Sequence, residues 1–125
     1  MAPTVSAWVV VHLVLRGLAG LELVAPGLAT HALTVGVIGG LTLGMMTRTS
    51  RGHTARPLKV GPWETAAYVL VHLAAAVRVF APLLLPQLYV TWVVASGVLW
   101  SAAFAIFTLV YIPILTRPRL DGQPG

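Results

Sequence analysis

At 125 residues, 58% hydrophobic and only 9% charged, the chain excludes an ordinary soluble domain, in which about a quarter of residues carry charge. Eight Lys or Arg stand against Glu22, Glu64 and Asp121, for a net charge of +5. The cations are too few, and too clustered at the ends of apolar runs, to track a phosphate backbone, so nucleic acid is excluded as a partner. With no cysteine, disulfide scaffolds, thiolate metal sites and cysteine nucleophiles are excluded as well, and a metal would rest on His, Met or carboxylate.

Four apolar runs follow one another at residues 6–24, 28–46, 63–83 and 88–112, each close to the roughly 20 residues that a bilayer-spanning helix needs. The expected fold class is all-α: a single domain over residues 1–125, forming a polytopic membrane bundle of four transmembrane helices. Pro26-Gly27 separates the first two runs, and residues 47–62 form the one long polar connection. Pro82 and Pro86 bracket the turn before the last run; Pro113 ends that run and starts the tail, 113–125, because proline lacks the N–H a helix uses. Arg48, Arg51, Arg56 and Lys59 fall in the middle connection, and Arg117 and Arg119 follow the last run. Four spans put both basic segments on one side, which the positive-inside rule makes cytoplasmic, along with both termini. The start of the chain has no basic region ahead of its apolar run, so no cleaved signal is expected.

Ionisable groups inside spans are costly and usually face the bundle interior, which singles out His12, Arg16, Glu22, His72 and Arg78. Val11-His12-Leu13 is echoed by Val71-His72-Leu73. The first and third helices run in the same direction, so at about 1.5 Å per residue His12 lies roughly 9 Å and His72 roughly 13 Å from the inner end. The two imidazoles are then expected to face each other across one site. Two neutral imidazoles on facing helices suit axial ligation of haem or binding of copper; hydrogen bonding of each ring to a backbone carbonyl or hydroxyl is the alternative. His31 opens the second helix at the outer surface, on the order of 15 to 20 Å away along the normal. Arg16 lies one turn after His12 and would meet Glu22 or a haem propionate.

Gly36, Gly40 and Gly44 form a small-residue ridge on the second helix that admits a neighbouring helix or a flat macrocycle. Met45 and Met46 follow near its inner end, where a thioether could hold Cu(I). Trp100, Phe104, Phe107 and Tyr111 form one aromatic stripe on the fourth helix, read as packing. There is no carboxylate pair, phosphate-cradling glycine loop or Ser/His/Asp constellation, so no catalytic residue is assigned.

Three segments are more distinctive than their composition. They are His31-Ala32-Leu33-Thr34-Val35-Gly36, the connection Met46-Thr47-Arg48-Thr49-Ser50-Arg51-Gly52-His53-Thr54-Ala55-Arg56-Pro57-Leu58, and the end Tyr111-Ile112-Pro113-Ile114-Leu115-Thr116-Arg117-Pro118-Arg119-Leu120-Asp121-Gly122-Gln123-Pro124-Gly125. Together they resemble the C-terminal portion of the NnrS family, from about His12 to the end. Arg51 and Ala55 depart from the family pattern, where an apolar residue and a glycine are expected. The resemblance implies a bacterial inner-membrane protein that binds haem and copper in the nitric oxide response and denitrification. It places His31 and His53 inside family-like motifs as candidate ligands. With the readings above, the expected metal donors are His53, His31, Met45 and Met46, and the expected cofactor surroundings are His12, His72, His31 and Arg16, of which His12 and His72 rest mainly on the depth argument. Family members are typically much longer, with more spans. The expectation is therefore a fragment, split product or short paralogue that sits in the bilayer beside other membrane helices, either further copies of itself or a missing N-terminal portion.

Two other classes compete with this reading. A small four-helix proton-coupled transporter acting as a homodimer would use Glu22 as its carboxylate. A structural subunit of a larger membrane complex would have no site of its own.

Overall fold

A computed structural model describes residues 2–123 as helices joined by short turns, with no strand among them. Pro3–Gly20, Pro26–His53, Pro62–Leu84 and Pro86–Leu115 are each long and apolar enough to cross a membrane. The chain is an all-helical protein with four candidate spans, as its apolar runs predict, but the ends of those runs are placed differently.

Helix α1 (Ala2–Gly20) stops four residues before the expected Val24. Leu23 N–H donates to Leu18 O at 3.0 Å and Glu22 N–H to Ala19 O at 3.0 Å, the paired bonds of a Schellman cap. Glu22 takes the left-handed position of that cap, with φ of 60°, and is exposed. The acid that the transporter alternative required inside the first span is therefore a turn residue beyond it.

The second stretch is one rod in three parts: α2 (Pro26–His31), a π-helical segment (Ala32–Ile38) and α3 (Gly39–His53). The π segment carries Gly36, onto which the Trp8 indole of α1 closes. A Cβ on Gly36 would lie 2.6 Å from Trp8 Cγ and Cδ2, so the ring fits only against glycine. One turn on, a Cβ on Gly40 would meet His72 Cε1 and Val5 Cγ2 at 3.2 Å each. At Gly36 and Gly40 the ridge thus serves helix packing, one of the two uses its spacing allows.

The rod outruns its expected end at Met46 by two turns, so Arg48, Arg51 and His53 are helical residues and the connection proper is residues 54–61. Hydroxyls satisfy carbonyls along this polar end: Thr47 Oγ1 donates to Leu43 O at 2.9 Å and Thr54 Oγ1 to Ser50 O at 2.7 Å. The helix closes in a second Schellman cap, with Arg56 N–H on Arg51 O at 2.9 Å and Ala55 N–H on Gly52 O at 3.2 Å. Ala55 has φ of 54°, which supplies the physical reason a glycine is expected there.

Helix α4 (Pro62–Leu84) starts with proline at its first position, where a missing N–H costs nothing. Its third residue, Glu64, reaches back to accept from Gly61 N–H at 2.9 Å. Pro82 lies inside α4, not in the turn that follows. A 3-10 turn (Pro86–Leu88) leads into α5 (Tyr89–Leu115), which runs two residues past Pro113; proline removes one hydrogen bond without ending the helix here.

The α4/α5 hairpin is the tightest pairing, with Ala67, Val71, Ala74 and Ala103 buried along the seam and Ser96 Oγ donating to Ala74 O at 2.8 Å. Small residues let the two backbones approach closely, as in membrane helix pairs generally. The α5 stripe is observed: Trp100 and Phe104 ring centroids are 4.2 Å apart, and those of Phe107 and Tyr111 4.4 Å. Large apolar side chains such as Val10, Leu13, Val94 and Leu109 point outward, a surface suited to acyl chains. At one end of the bundle the two basic segments meet. Arg56 Nη1 donates to Ile114 O at 3.3 Å, and Leu120 N–H to Thr54 O at 3.4 Å.

Candidate functional site

The histidines are positioned by the register of α1 against the rod and α4. Packing of Trp8 on Gly36 brings Trp8, one turn before His12, level with His72: Trp8 Nε1–H donates to His72 Nδ1 at 3.1 Å. His12 instead reaches the rod, where its Nδ1 lies 2.7 Å from Ala29 O. The two imidazoles are held by different helices: His72 by Trp8 on α1 and His12 by Ala29 on α2. The expected depth of His31 is corrected. Ala29, the partner of His12, is only two residues from His31 on α2, so His12 and His31 lie at similar depth.

These partners fix the tautomers. A carbonyl can only accept, so His12 carries its proton on Nδ1, and the Nε2 lone pair is left for another group. Orientation of an imidazole by a carbonyl on its far nitrogen is the support that metal-ligating histidines usually have. His72 has the opposite arrangement. Its Nδ1 lone pair is engaged by Trp8, so in the neutral ring the proton is on Nε2, which is buried without a hydrogen-bond partner.

His31 is engaged by a cation. Arg78 Nη2 donates to His31 Nε2 at 2.9 Å, and the guanidinium carbon lies 5.4 Å from the centroid of the Tyr89 ring. The lone pair that a metal would use at Nε2 is thereby occupied. Arg16 is exposed on α1 and forms no ion pair with Glu22 or any other acid among the described residues.

At the basic end, His53 is exposed on the last turn of α3 and lines a hollow of about 460 Å³ with Met45, Arg48, Thr49 and Gly52. Met46 turns away and packs on the core around Leu43 and Tyr111. Of the four expected metal donors, then, His53 and Met45 share one hollow, Met46 is a packing residue and His31 is at the far end of the rod. No three His, Asp or Glu side chains come together among the described residues. Two larger clefts lie elsewhere on the bundle. One of about 630 Å³ lies between α1 and α4, with Trp8, Val11, Tyr68, His72 and Phe80 on its walls. The other, about 530 Å³, is lined by Gly40, Gly44, Met45, Arg48 and Tyr68.

One buried polar cluster was not singled out from the sequence. Arg51 Nη2 forms an ion pair with Glu64 Oε1, Arg51 Nε donates to the Tyr111 hydroxyl at 3.1 Å, and that hydroxyl donates to Glu64 Oε1 at 3.3 Å. Arg51 Nη1 also reaches Pro57 O at 3.2 Å. Three helices and the connection are tied together by this network. Its signal in the sequence was present but unread: Glu64 is the lone acid at the start of a span, three residues after Gly61 and facing a connection with four cations.

Outside the spans, the tail forms a small turn in which Arg119 Nη2 and Asp121 Oδ2 are 2.7 Å apart. The Arg119 guanidinium beside Asp121 lowers its carboxyl from 3.8 to about 2.

No curated protein and no solved structure shows a significant match to the chain. A family model described as NnrS protein matches residues 4–119, which takes in all four candidate spans, His12, His31, His53 and His72, and the Arg51–Glu64–Tyr111 cluster. This chain belongs to the NnrS family.

Proposed function

We propose that this protein is a haem- and copper-binding component of the bacterial inner membrane that acts in the nitric oxide response and denitrification, with both termini cytoplasmic. Family membership supports the class of protein. The observation that carries the cofactor reading is His12: a half-buried imidazole on a candidate span whose Nδ1 bonds to Ala29 O, leaving the Nε2 lone pair free and oriented. That donor fits a haem iron. His72 fits less well, since its Nδ1 is engaged by Trp8. Any further donor to the group would come from another copy of the chain or from further helices of a longer assembly. Haem, held by His12, would supply an iron centre able to bind a diatomic ligand such as nitric oxide. The protein's own part is to orient the His12 ring and exclude water with the Trp8, Val11 and Leu15 side of α1.

Copper is assigned to the hollow shared by His53 and Met45, an imidazole and a thioether of the kind that favours Cu(I). The test is metal analysis of detergent-purified protein after expression with haem and copper supplied. Iron as haem, together with copper that falls in both His53→Ala and Met45→Leu, is expected. Protein free of both metals after such expression would overturn the reading.

A further inference from the structure

The cleft of about 530 Å³ toward the basic end of the bundle joins an apolar wall to a free cation. Leu41 on α3 and Leu58 and Val60 on the connection supply apolar lining, while Lys59, between the last two, does not line the cleft. Leu58 and Val60 are 61% and 45% exposed, so no described residue covers them. The polar groups on the walls differ in what they have left to offer. Arg51 spends Nε on the Tyr111 hydroxyl, Nη1 on Pro57 O and Nη2 on Glu64. Arg48, one turn earlier on α3, makes no ion pair and no hydrogen bond among the described residues. It is exposed, and its donors are open to an incoming group. The Tyr68 hydroxyl on α4 likewise has no partner among the described residues.

No described acid lines this cleft, so an anion that enters it meets attraction without local repulsion. Arg48 also sits where the character of the rod changes. Residues 39–46 before it are mostly apolar, and Thr47, Thr49, Ser50 and Arg51 surround it. In a span that change marks the level at which hydrocarbon gives way to headgroups. A free guanidinium at that level, beside apolar walls, complements an amphiphile with an anionic head. The cleft of about 630 Å³ has apolar walls but no cation, and nothing in it selects a charged occupant.

We infer that the cleft at Arg48 holds one anionic phospholipid, with its phosphate on the Arg48 guanidinium and an acyl chain against Leu41, Leu58 and Val60. The planar fork of arginine matches a phosphate oxyanion. The Tyr68 hydroxyl is the second donor on the wall. The inference rests on the candidate spans lying in a bilayer and needs neither haem nor copper.

The test is native mass spectrometry of the detergent-purified full chain, titrated with phosphatidylglycerol and, separately, with phosphatidylcholine. One phosphatidylglycerol should be retained in preference to phosphatidylcholine. Its affinity should fall about ten- to a hundred-fold in Arg48→Gln, the loss expected for a charge-assisted hydrogen bond. Lys59→Gln, which removes a neighbouring cation outside the cleft, should cost less than about fivefold. The double variant Leu58→Gln/Val60→Gln should weaken binding about tenfold by removing apolar lining. Arg48→Lys keeps the charge and loses the fork, so an intermediate affinity supports the site even if Arg48→Gln does not fold. Equal losses in Arg48→Gln and Lys59→Gln would overturn the site in favour of diffuse attraction. Displacement of the lipid by inorganic phosphate at similar concentration would overturn it in favour of a free ion. A Leu58→Gln/Val60→Gln protein that turns from dimer to monomer with unchanged lipid affinity would overturn it in favour of a second copy of the chain.

Discussion

Replacing Glu64 by leucine removes the one carboxylate in the Arg51–Glu64–Tyr111 cluster and leaves its donors in place. Glu64 is only 4% exposed, and it accepts from Arg51, from Gly61 N–H at 2.9 Å and from Tyr111 Oη at 3.3 Å. The side chain of Arg51 is 16% exposed, so little water is at hand to take over. A buried pair broken on one side costs about 3–5 kcal/mol, because the remaining charge is uncompensated. A pair open to solvent costs at most about 1 kcal/mol. Burial puts this pair in the first class, and Glu64→Leu should destabilise the bundle by about 3 kcal/mol or more. Arg51→Met alone should cost a similar amount. The double variant Arg51→Met/Glu64→Leu, with no charge left to satisfy, should recover most of the loss, giving a coupling of about 2–3 kcal/mol. Reversible denaturant titration in detergent micelles, followed by tryptophan fluorescence, measures all four corners of the cycle. Single variants that lose less than about 1 kcal/mol, or losses that simply add, would refute the claim that this pair locks the end of the bundle.

Gly36→Ala should destabilise by about 1–3 kcal/mol through overpacking, since its Cβ would lie 2.6 Å from the Trp8 ring; partial rescue by Trp8→Leu in the same titration checks the cause. Glu22→Gly and Ala55→Gly should each stabilise by about 1 kcal/mol, because both side chains occupy left-handed caps at φ of 60° and 54°. A loss of stability at either position would contradict the cap assignment. The Asp121 carboxyl, lowered to about 2 by its bonds to Arg119, should titrate there by NMR. Its folded value is depressed, so the tail turn is fully held above the ordinary value of 3.8 and released as pH falls through about 2; in Arg119→Gln the titration should return toward the ordinary value.

The spans were legible because a run of apolar residues long enough for a bilayer admits few other structures. Their ends were less so. Polar residues after Met46 suggest an inner limit there, yet Thr47 and Thr54 bond back to their own helix, which runs on to His53. Prolines misled in both directions: Pro82 and Pro113 sit inside helices, while Pro26 and Pro62 begin them. The partners of His12 and His72 were not legible for a tertiary reason. Residue counting from the membrane surface cannot know that Trp8 will seat on Gly36 and slide α1 until Trp8, not His12, meets His72.

The two departures from the family pattern, by contrast, have structural consequences that can be stated. Ala55 sits at a left-handed cap where a glycine would be unstrained. Arg51, standing where an apolar residue is expected, supplies the cation that buried Glu64 needs. Reading Arg51 as a topology signal, one of several cations in a polar connection, hid its partner. Glu64 and Tyr111 are 47 residues apart in sequence, and no local pattern joins them.

The most direct test of the account is the Soret absorbance per chain of detergent-purified protein expressed with haem supplied, compared among wild type, His12→Ala and His72→Ala. With His12 as the oriented axial donor and His72 held by Trp8, wild type and His72→Ala should both show the band and His12→Ala should lose it. A colourless wild type, or a band that survives in His12→Ala, would contradict the assignment of the cofactor to this imidazole.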